Sequence, residues 1–440
     1  MSLVEFGPGC DPLVGEVHLP GDKSLSHRAV LFAAMAEGTT TLTGVLDSAD
    51  VRATIGAVQE LGAHAQLEVQ PDGSLAGIVR GWGALGPRFY CTSIDCGNSG
   101  TTARLLMGVL AGWPIEVTLV GDESLSRRPM RRVAAPLELM GAQFSTTPAG
   151  TLPVTVHGRA ALKAIEYDSP VASAQVKTAI LLAGLRAQGR TRVTEPAASR
   201  DHTERMLPEF CVPVARDAST NAAVVEGPVV PCAIPSFAVP RDPSSAAFLA
   251  AAALLVPGSS VRLPGVSLNP TRAGFLRVLE RMGASIRVVP FPETESERSG
   301  EIDVEYTSHL SATTVTASEV PSLVDEVPIL ALVASQAHGE TRFEGVGELR
   351  VKESDRLAAI VSGLVALGAT AEAEGETLVV RGPAPLRGAT IDSLGDHRLA
   401  MTWAVAGLVA GSAVKVGRFE AVDVSYPAFA SDLERLGLRR

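Results

Sequence analysis

Residues 27–45, HRAVLFAAMAEGTTTLTGV, carry an apolar helical run that ends near Gly38 and passes into an alternating strand. The same design returns in ARLLMGVLAGWPIEVTLVG (103–121), KTAILLAGLRAQGRTRVTEP (177–196), AAFLAAAALLVPGSSVRLPGV (246–266), PILALVASQAHGETRFEGV (328–346) and LAMTWAVAGLVAGSAVKVGRF (399–419). Gly38, Gly112, Gly189, Gly258, Gly339 and Gly411 mark these stretches, at a spacing of roughly 70–80 residues that signals a repeated supersecondary unit. A second helix follows in each, closed by Gly as a C-cap in ELGAHA (60–65), LMGAQF (139–144), RMGASI (281–286), ALGATA (366–371) and RLGL (435–438). The third stretch has EFCVPV (209–214), with Cys211 where the others carry Gly. A chain of 440 residues exceeds one ordinary core, so six α/β units predict two domains of three units each.

Composition narrows the function classes. Hydrophobic residues make up 46% and aromatics only 4%, so the core is built from Ala, Val and Leu and offers few rings for base stacking. A formal net charge of −10 opposes broad nucleic-acid backbone binding but leaves room for a local cationic cleft. The five cysteines, Cys10, Cys91, Cys96, Cys211 and Cys232, form no CxxC pair, which predicts free thiols in a reducing cytoplasm and no metal framework. No basic segment followed by an apolar run opens the sequence, and runs such as AAFLAAAALLV (246–256) are too short to cross a bilayer.

The segments that precede each buried helix hold the chemistry. They are DKSLSHR (22–28), CGNSGTTAR (96–104), ASAQVKT (172–178), PRDPSSAA (240–247), LVDEVP (323–328) and GDHRLA (395–400). Helix N-termini carry unpaired N–H groups and a positive partial charge, which favour anions. Placing Lys23 and Arg28 there is unfavourable unless an anion is bound, so the pattern points to a small anionic ligand. Ser, Asp and Asn at such places are also ordinary caps, as Asp242 with Ser244 and Ser245 illustrates.

These motifs resemble the 5-enolpyruvylshikimate-3-phosphate (EPSP) synthase family, also called 3-phosphoshikimate 1-carboxyvinyltransferases, over nearly the whole chain. LPGDKSLSHRA, DCGNSGTTARLL, GDESLSRRPM, SAQVKTAILLAGL, SRDHTERML, DPSSAAF, LNPTR, VDEVPILA, ELRVKESDR, GDHRLAM and SYPAF follow the family order. The resemblance implies a two-domain inside-out α/β barrel, each domain made of three βαβαββ-type repeats. Residues 21–240 would form one domain, residues 1–20 and 241–440 the other, with the active site in the cleft between them. It implies transfer of the enolpyruvyl group of phosphoenolpyruvate to the 5-hydroxyl of shikimate 3-phosphate, in the shikimate pathway, by a cytoplasmic monomer that needs no cofactor or metal and binds neither nucleic acid nor membrane.

By the same resemblance, Lys23 contacts phosphoenolpyruvate and moves protons, while Asp325 is the base at the 5-hydroxyl and Glu353 the proton donor at the methylene. Lys23, Ser24, Arg28, Ser173, Ala174, Gln175, Ser199, Asp325 and Lys352 are expected to bind shikimate 3-phosphate. Lys23, Gly100, Arg128, Gln175, Arg356 and Arg398 are expected to bind phosphoenolpyruvate. Two carboxyls in different surroundings can divide proton removal and delivery, and permanently charged planar guanidinium groups suit carboxylates. Asn98 is expected to order its turn, and His27 to support packing. Three positions depart from the family pattern: Ala174 stands for a frequent Ser, Glu348 for a frequent Asn, and Val424 for a lysine. The sister transferase that acts on UDP-N-acetylglucosamine uses a mobile-loop Cys, and GDESLSRRPM (121–130) has none.

Overall fold

The computed structural model describes residues 3–7, 11–88, 92–292 and 297–438. Twelve α-helices among them alternate between two kinds. The first kind follows the polar segments: α1 (Lys23–Met35), α3 (Gly100–Ala111), α5 (Ala174–Gly184), α7 (Pro243–Leu255), α9 (Val327–Ala334) and α11 (His397–Val409). The second kind comprises α2 (Ala49–Glu60), α4 (Arg131–Leu139), α6 (His202–Met206), α8 (Gly274–Arg281), α10 (Arg356–Ala366) and α12 (Phe429–Leu436).

Helices of the first kind are buried on almost every side. In α7 each residue from Pro243 to Leu254 is buried, and every residue of α9 is. Such helices need small side chains where they cross. A Cβ on Gly108 of α3 would lie 2.3 Å from the carbonyl oxygen of Ala179 in α5, so glycine sets that close approach. Helices of the second kind, the short and largely buried α6 apart, are amphipathic, with charged faces in water; α8 buries Phe275, Val278 and Leu279.

The strand after each buried helix is the centre of a sheet. Thr39–Val45, Glu116–Val120, Ala187–Thr194, Ser260–Ser267, Gly339–Phe343 and Val414–Gly417 each pair antiparallel with one neighbour and in parallel with one short strand, or with two, Leu162–Lys163 and Glu166–Asp168, for Ala187–Thr194. The result is six separate small sheets among the described residues. After each helix of the second kind the chain turns through a left-handed residue: Gly62 (φ 92°), Gly141 (106°), Cys211 (62°), Gly283 (85°), Gly368 (91°) and Gly437 (140°). Cys211 thus adopts the conformation that glycine supplies elsewhere.

The expectation of five free thiols is corrected. Cys211 and Cys232 form a disulfide with their Cα atoms 5.6 Å apart. The returning strand places them together, as the Cys232 N–H donates to the Phe210 carbonyl at 3.0 Å. That tertiary contact leaves no mark in sequence spacing. Cys96 is free and buried, and Cys10 and Cys91 lie outside the described residues.

The chain divides into two compact units. One holds Pro20–Pro240; the other holds the residues up to Leu19 and most of those from Arg241 on. The first is an insertion in the second. Leu3–Phe6 pairs with Val414–Gly417, and Val14–Glu16 with Ser260–Ser267. The insertion enters and leaves at one place, since the Asp22 N–H donates to the Pro240 carbonyl at 2.8 Å. Each unit has its own aliphatic core. No helix among the described residues is long and apolar enough to cross a membrane.

Candidate active site

In the Pro20–Pro240 unit, Asp22 caps α1 by accepting the Leu25 N–H at 2.8 Å. Lys23 Nζ lies 3.1 Å from Asp50 Oδ2 and stays partly exposed. Arg28, one turn further, is buried, with Nε donating to Thr203 Oγ1 (2.9 Å), Nη2 to Thr178 Oγ1 (3.0 Å) and Nη1 to the Ser24 carbonyl (3.0 Å). These partners are all neutral, and burial lowers the Arg28 pKa to about 10. The Ser24 hydroxyl lies 3.4 Å from Arg200 Nη1.

Helix α3 is capped by Ser99 and begins with Gly100. A Cβ at Gly100 would stand 3.2 Å from Arg104 Nη1 and 3.3 Å from Arg128 Nη1, so bare backbone lies against two guanidinium groups. Arg128 donates to Asn98 Oδ1 at 2.6 Å, and Asn98 in turn donates to Asp122 Oδ2 at 2.6 Å. Arg104 donates to Gln175 Oε1 at 2.6 Å, while Gln175 Nε2 donates to Thr101 Oγ1 at 3.0 Å. Gln175 thereby joins the starts of α3 and α5.

Ser173 caps α5, ahead of half-buried Ala174. The Ser173 N–H and the Ser199 hydroxyl both donate to Glu195, each at 2.7 Å. Lys177 bridges Glu195 and Glu204 at 2.8 Å each, and all three are buried. Burial alone would lower the Lys177 pKa, but Glu204 and Glu195 raise it on balance. His27, on α1, starts a chain of hydroxyls: Nδ1 meets Thr54 Oγ1 at 2.7 Å, Thr54 meets Thr102 Oγ1 at 2.6 Å, and Thr102 donates to Ser99 Oγ at 2.7 Å. Because Thr102 spends its proton on Ser99, it accepts from Thr54, which accepts from His27. Nδ1 therefore carries a proton, and burial, which pulls the pKa down to about 3, keeps the ring neutral.

In the other unit the cations meet carboxylates. Asp396 caps α11 by accepting the Arg398 N–H at 3.0 Å. Arg356, the first residue of α10, reaches Asp396 Oδ2 (2.7 Å), Asp325 Oδ1 (3.0 Å) and Glu353 Oε2 (2.5 Å). Burial opposes its charge, yet Asp396, Glu353 and Asp325 together hold its pKa well above the usual value. Arg398 donates to the Asp325 carbonyl at 3.3 Å and lies 3.7 Å from Asp325 Oδ2 and 3.5 Å from Glu326 Oε1. Lys352 Nζ stands 4.0 Å from Asp325 Oδ1 and donates to Glu348 at 3.1 Å. Deeper in, Arg272 bonds Asp242 (3.0 Å) and Ser244 (2.8 Å), and Ser244 donates to Glu326.

The structure thus gathers Asp325, Lys352, Glu353, Arg356 and Arg398 into one cluster. Within the Pro20–Pro240 unit, Gln175 links to the Gly100–Arg128 turn through Arg104, and Arg28 lies with Ser24. Sequence reasoning missed Arg104, Lys177, Glu195, Arg200 and Glu204. Arg104 follows Gly100 by four residues, one helical turn, and that spacing was its only signal. Lys177 and Glu204 lie within α5 and α6 and Glu195 and Arg200 outside helices, and for none of the four does a local spacing announce the partner.

Small sheets repeated around buried helices, with ionisable groups at the helix starts, define an α/β protein that handles small charged molecules. Matching proteins narrow this class. Residues 8–433 match the family described as EPSP synthase (3-phosphoshikimate 1-carboxyvinyltransferase), and the chain belongs to that family. The 3-phosphoshikimate 1-carboxyvinyltransferase of Halorhodospira halophila is 46% identical over 426 residues, 97% of this chain and 94% of that protein. Its namesake in Bacillus thuringiensis is 46% identical over 425 residues, 96% of this chain and 97% of its own. A solved EPSP synthase structure from Acinetobacter baumannii matches with a TM-score of 0.87 at 38% identity, covering 99% of this chain and 98% of that one.

Proposed function

We propose that the chain transfers the enolpyruvyl group of phosphoenolpyruvate to the 5-hydroxyl of shikimate 3-phosphate, releasing phosphate. The observation that carries this reading is the cluster in which one buried guanidinium, Arg356, ties Asp325 to Glu353. In the addition step the 5-hydroxyl oxygen bonds to the central carbon of phosphoenolpyruvate. Asp325 takes the hydroxyl proton, and Glu353, with Lys23, delivers one to the methylene carbon. Elimination returns a proton from the new methyl group and breaks the carbon–oxygen bond to phosphate. Asp325 and Glu353 share Arg356 but differ in exposure, which suits a division of acid and base roles.

The Pro20–Pro240 unit supplies groups for anions. Arg28, a buried cation among neutral oxygens, suits the acceptor carboxylate with Ser24. Bare backbone at Gly100 beside Arg104 and Arg128 suits the donor's phosphate. Ser173, Gln175 and Ser199 are assigned to the acceptor phosphate pocket, Lys352 to the same anion, and Arg398 with Arg356 to the donor's carboxylate. The two units are read as three-repeat domains of inside-out α/β barrel type, residues 21–240 and residues 1–20 with 241–440. Steady-state phosphate release tests the reaction: turnover is expected with phosphoenolpyruvate plus shikimate 3-phosphate. Activity with UDP-N-acetylglucosamine alone would refute it.

A further inference from the structure

Glu195 follows the strand Ala187–Thr194 and is 3% exposed, yet it takes part in no step above. Both of its oxygens are engaged. Oε1 accepts the Ser173 N–H at 2.7 Å; Oε2 accepts the Ser199 hydroxyl at 2.7 Å and faces Lys177 Nζ at 2.8 Å. One carboxylate therefore fixes two chain segments: the cap of α5 and the loop that leads into α6. Both segments carry serines assigned above to the acceptor's phosphate.

Proton counting constrains those serines. A serine hydroxyl has one proton, and a phosphate dianion only accepts. While Ser199 donates to Glu195 it has no proton for phosphate and offers only lone pairs, which repel. Ser173 is differently placed. Its Oγ accepts the Val176 N–H at 3.5 Å, and its own proton remains available for an anion. Lys177 belongs to the same arrangement, because without it two buried carboxylates, Glu195 and Glu204, would face each other uncompensated.

Resting on the functional reading above, we propose that Glu195, paired with Lys177, is the positioning residue of the acceptor-phosphate pocket. It orients Ser173 to donate to the phosphate, and Ser199 acts through Glu195 and not as a phosphate donor. The pocket's preference for a phosphorylated acceptor then depends on a group that never touches substrate.

The test compares kcat/KM for shikimate 3-phosphate with that for unphosphorylated shikimate, a ratio that a merely structural defect would not move. Wild-type protein inactive with shikimate 3-phosphate would refute the functional reading itself. Given wild-type turnover, Glu195→Gln should lower the ratio about tenfold or more, with KM for phosphoenolpyruvate within about twofold. Ser199→Ala should lower it no more than about threefold, since only one support of Glu195 is lost. An unchanged ratio in folded Glu195→Gln protein overturns the proposal, and so does a tenfold fall in Ser199→Ala. Should Glu195→Gln fail to fold, Glu195→Asp, which keeps the charge opposite Lys177 but draws the carboxylate back from Ser173 and Ser199, is judged by the same ratio.

Discussion

Arg28, in the Pro20–Pro240 unit, and Arg356, in the other, are buried alike at 3% and 1% exposure, but their partners differ in kind. Arg28 donates to two threonine hydroxyls and one carbonyl, and burial lowers its pKa to about 10. Arg356 is held by Asp396, Asp325 and Glu353. A buried cation among neutral dipoles keeps much of its charge uncompensated, so an incoming anion gains a strong partner. A buried cation surrounded by three carboxylates is already largely answered by the protein; beside the share of the donor's carboxylate assigned to it, it fixes where those carboxylates point. Two buried arginines on different kinds of helix thus do different work, one held open for a ligand's charge and the other first of all arranging the protein's own.

Substitution of both arginines by methionine tests this contrast most severely. Arg356→Met strands fully buried Asp396 beside Asp325, and is expected to cost about 3–5 kcal/mol in denaturant unfolding and to abolish measurable turnover. Asp325→Asn leaves Arg356 with Asp396 and Glu353, so stability should change by about 1 kcal/mol or less. Phosphate release should nevertheless slow by about 10²–10⁴-fold. Arg28→Met removes a charge that no protein carboxylate answers directly; stability should move by no more than about 1 kcal/mol, while KM for the acceptor rises about 10–100-fold. Equal destabilisation by the two arginine substitutions would erase the distinction.

The last test concerns His27, beside Arg28 on α1, and is read in stability alone. Burial, with Lys23 and Arg28 nearby, outweighs Asp50 and Asp22 and sets its pKa near 3 against an ordinary 6.5. The unfolded chain therefore binds a proton that the folded one refuses across that window. Its stabilising contribution is complete above pH 6.5 and is lost as pH falls toward 3, by up to roughly 1.4 kcal/mol per pH unit. His27→Asn, which keeps a donor for Thr54, should flatten the loss of stability between pH 6.5 and 5 in urea titrations. An unaltered slope would mean that another group governs acid sensitivity.

Local features were readable before the structure. Apolar periodicity located the six buried helices, and a cysteine in a glycine's place marked the turn at which Cys211 takes φ 62°. Those signals lie within a few residues of one another. The partners of the charges do not: Arg356 meets Asp396 across 40 positions and Arg104 meets Gln175 across 71. Glu195, in TEP, resembles an ordinary solvated strand end until folding brings Ser173, Lys177 and Ser199 around it. The Cys211–Cys232 bond escaped notice for the same reason, because nothing local distinguishes a cysteine that a returning strand will approach.

The entry and exit of the Pro20–Pro240 unit at a single hydrogen bond bear on how the protein is made. During synthesis the strands Leu3–Phe6 and Val14–Glu16 emerge first, but their partners, Val414–Gly417 and Ser260–Ser267, are translated long afterwards. The inserted unit has every strand partner in hand once Pro240 leaves the ribosome. Its sheets can form while the opening strands wait for most of the chain to arrive. The first strands to leave the ribosome are therefore among the last to be paired, and only these opening residues fold out of turn.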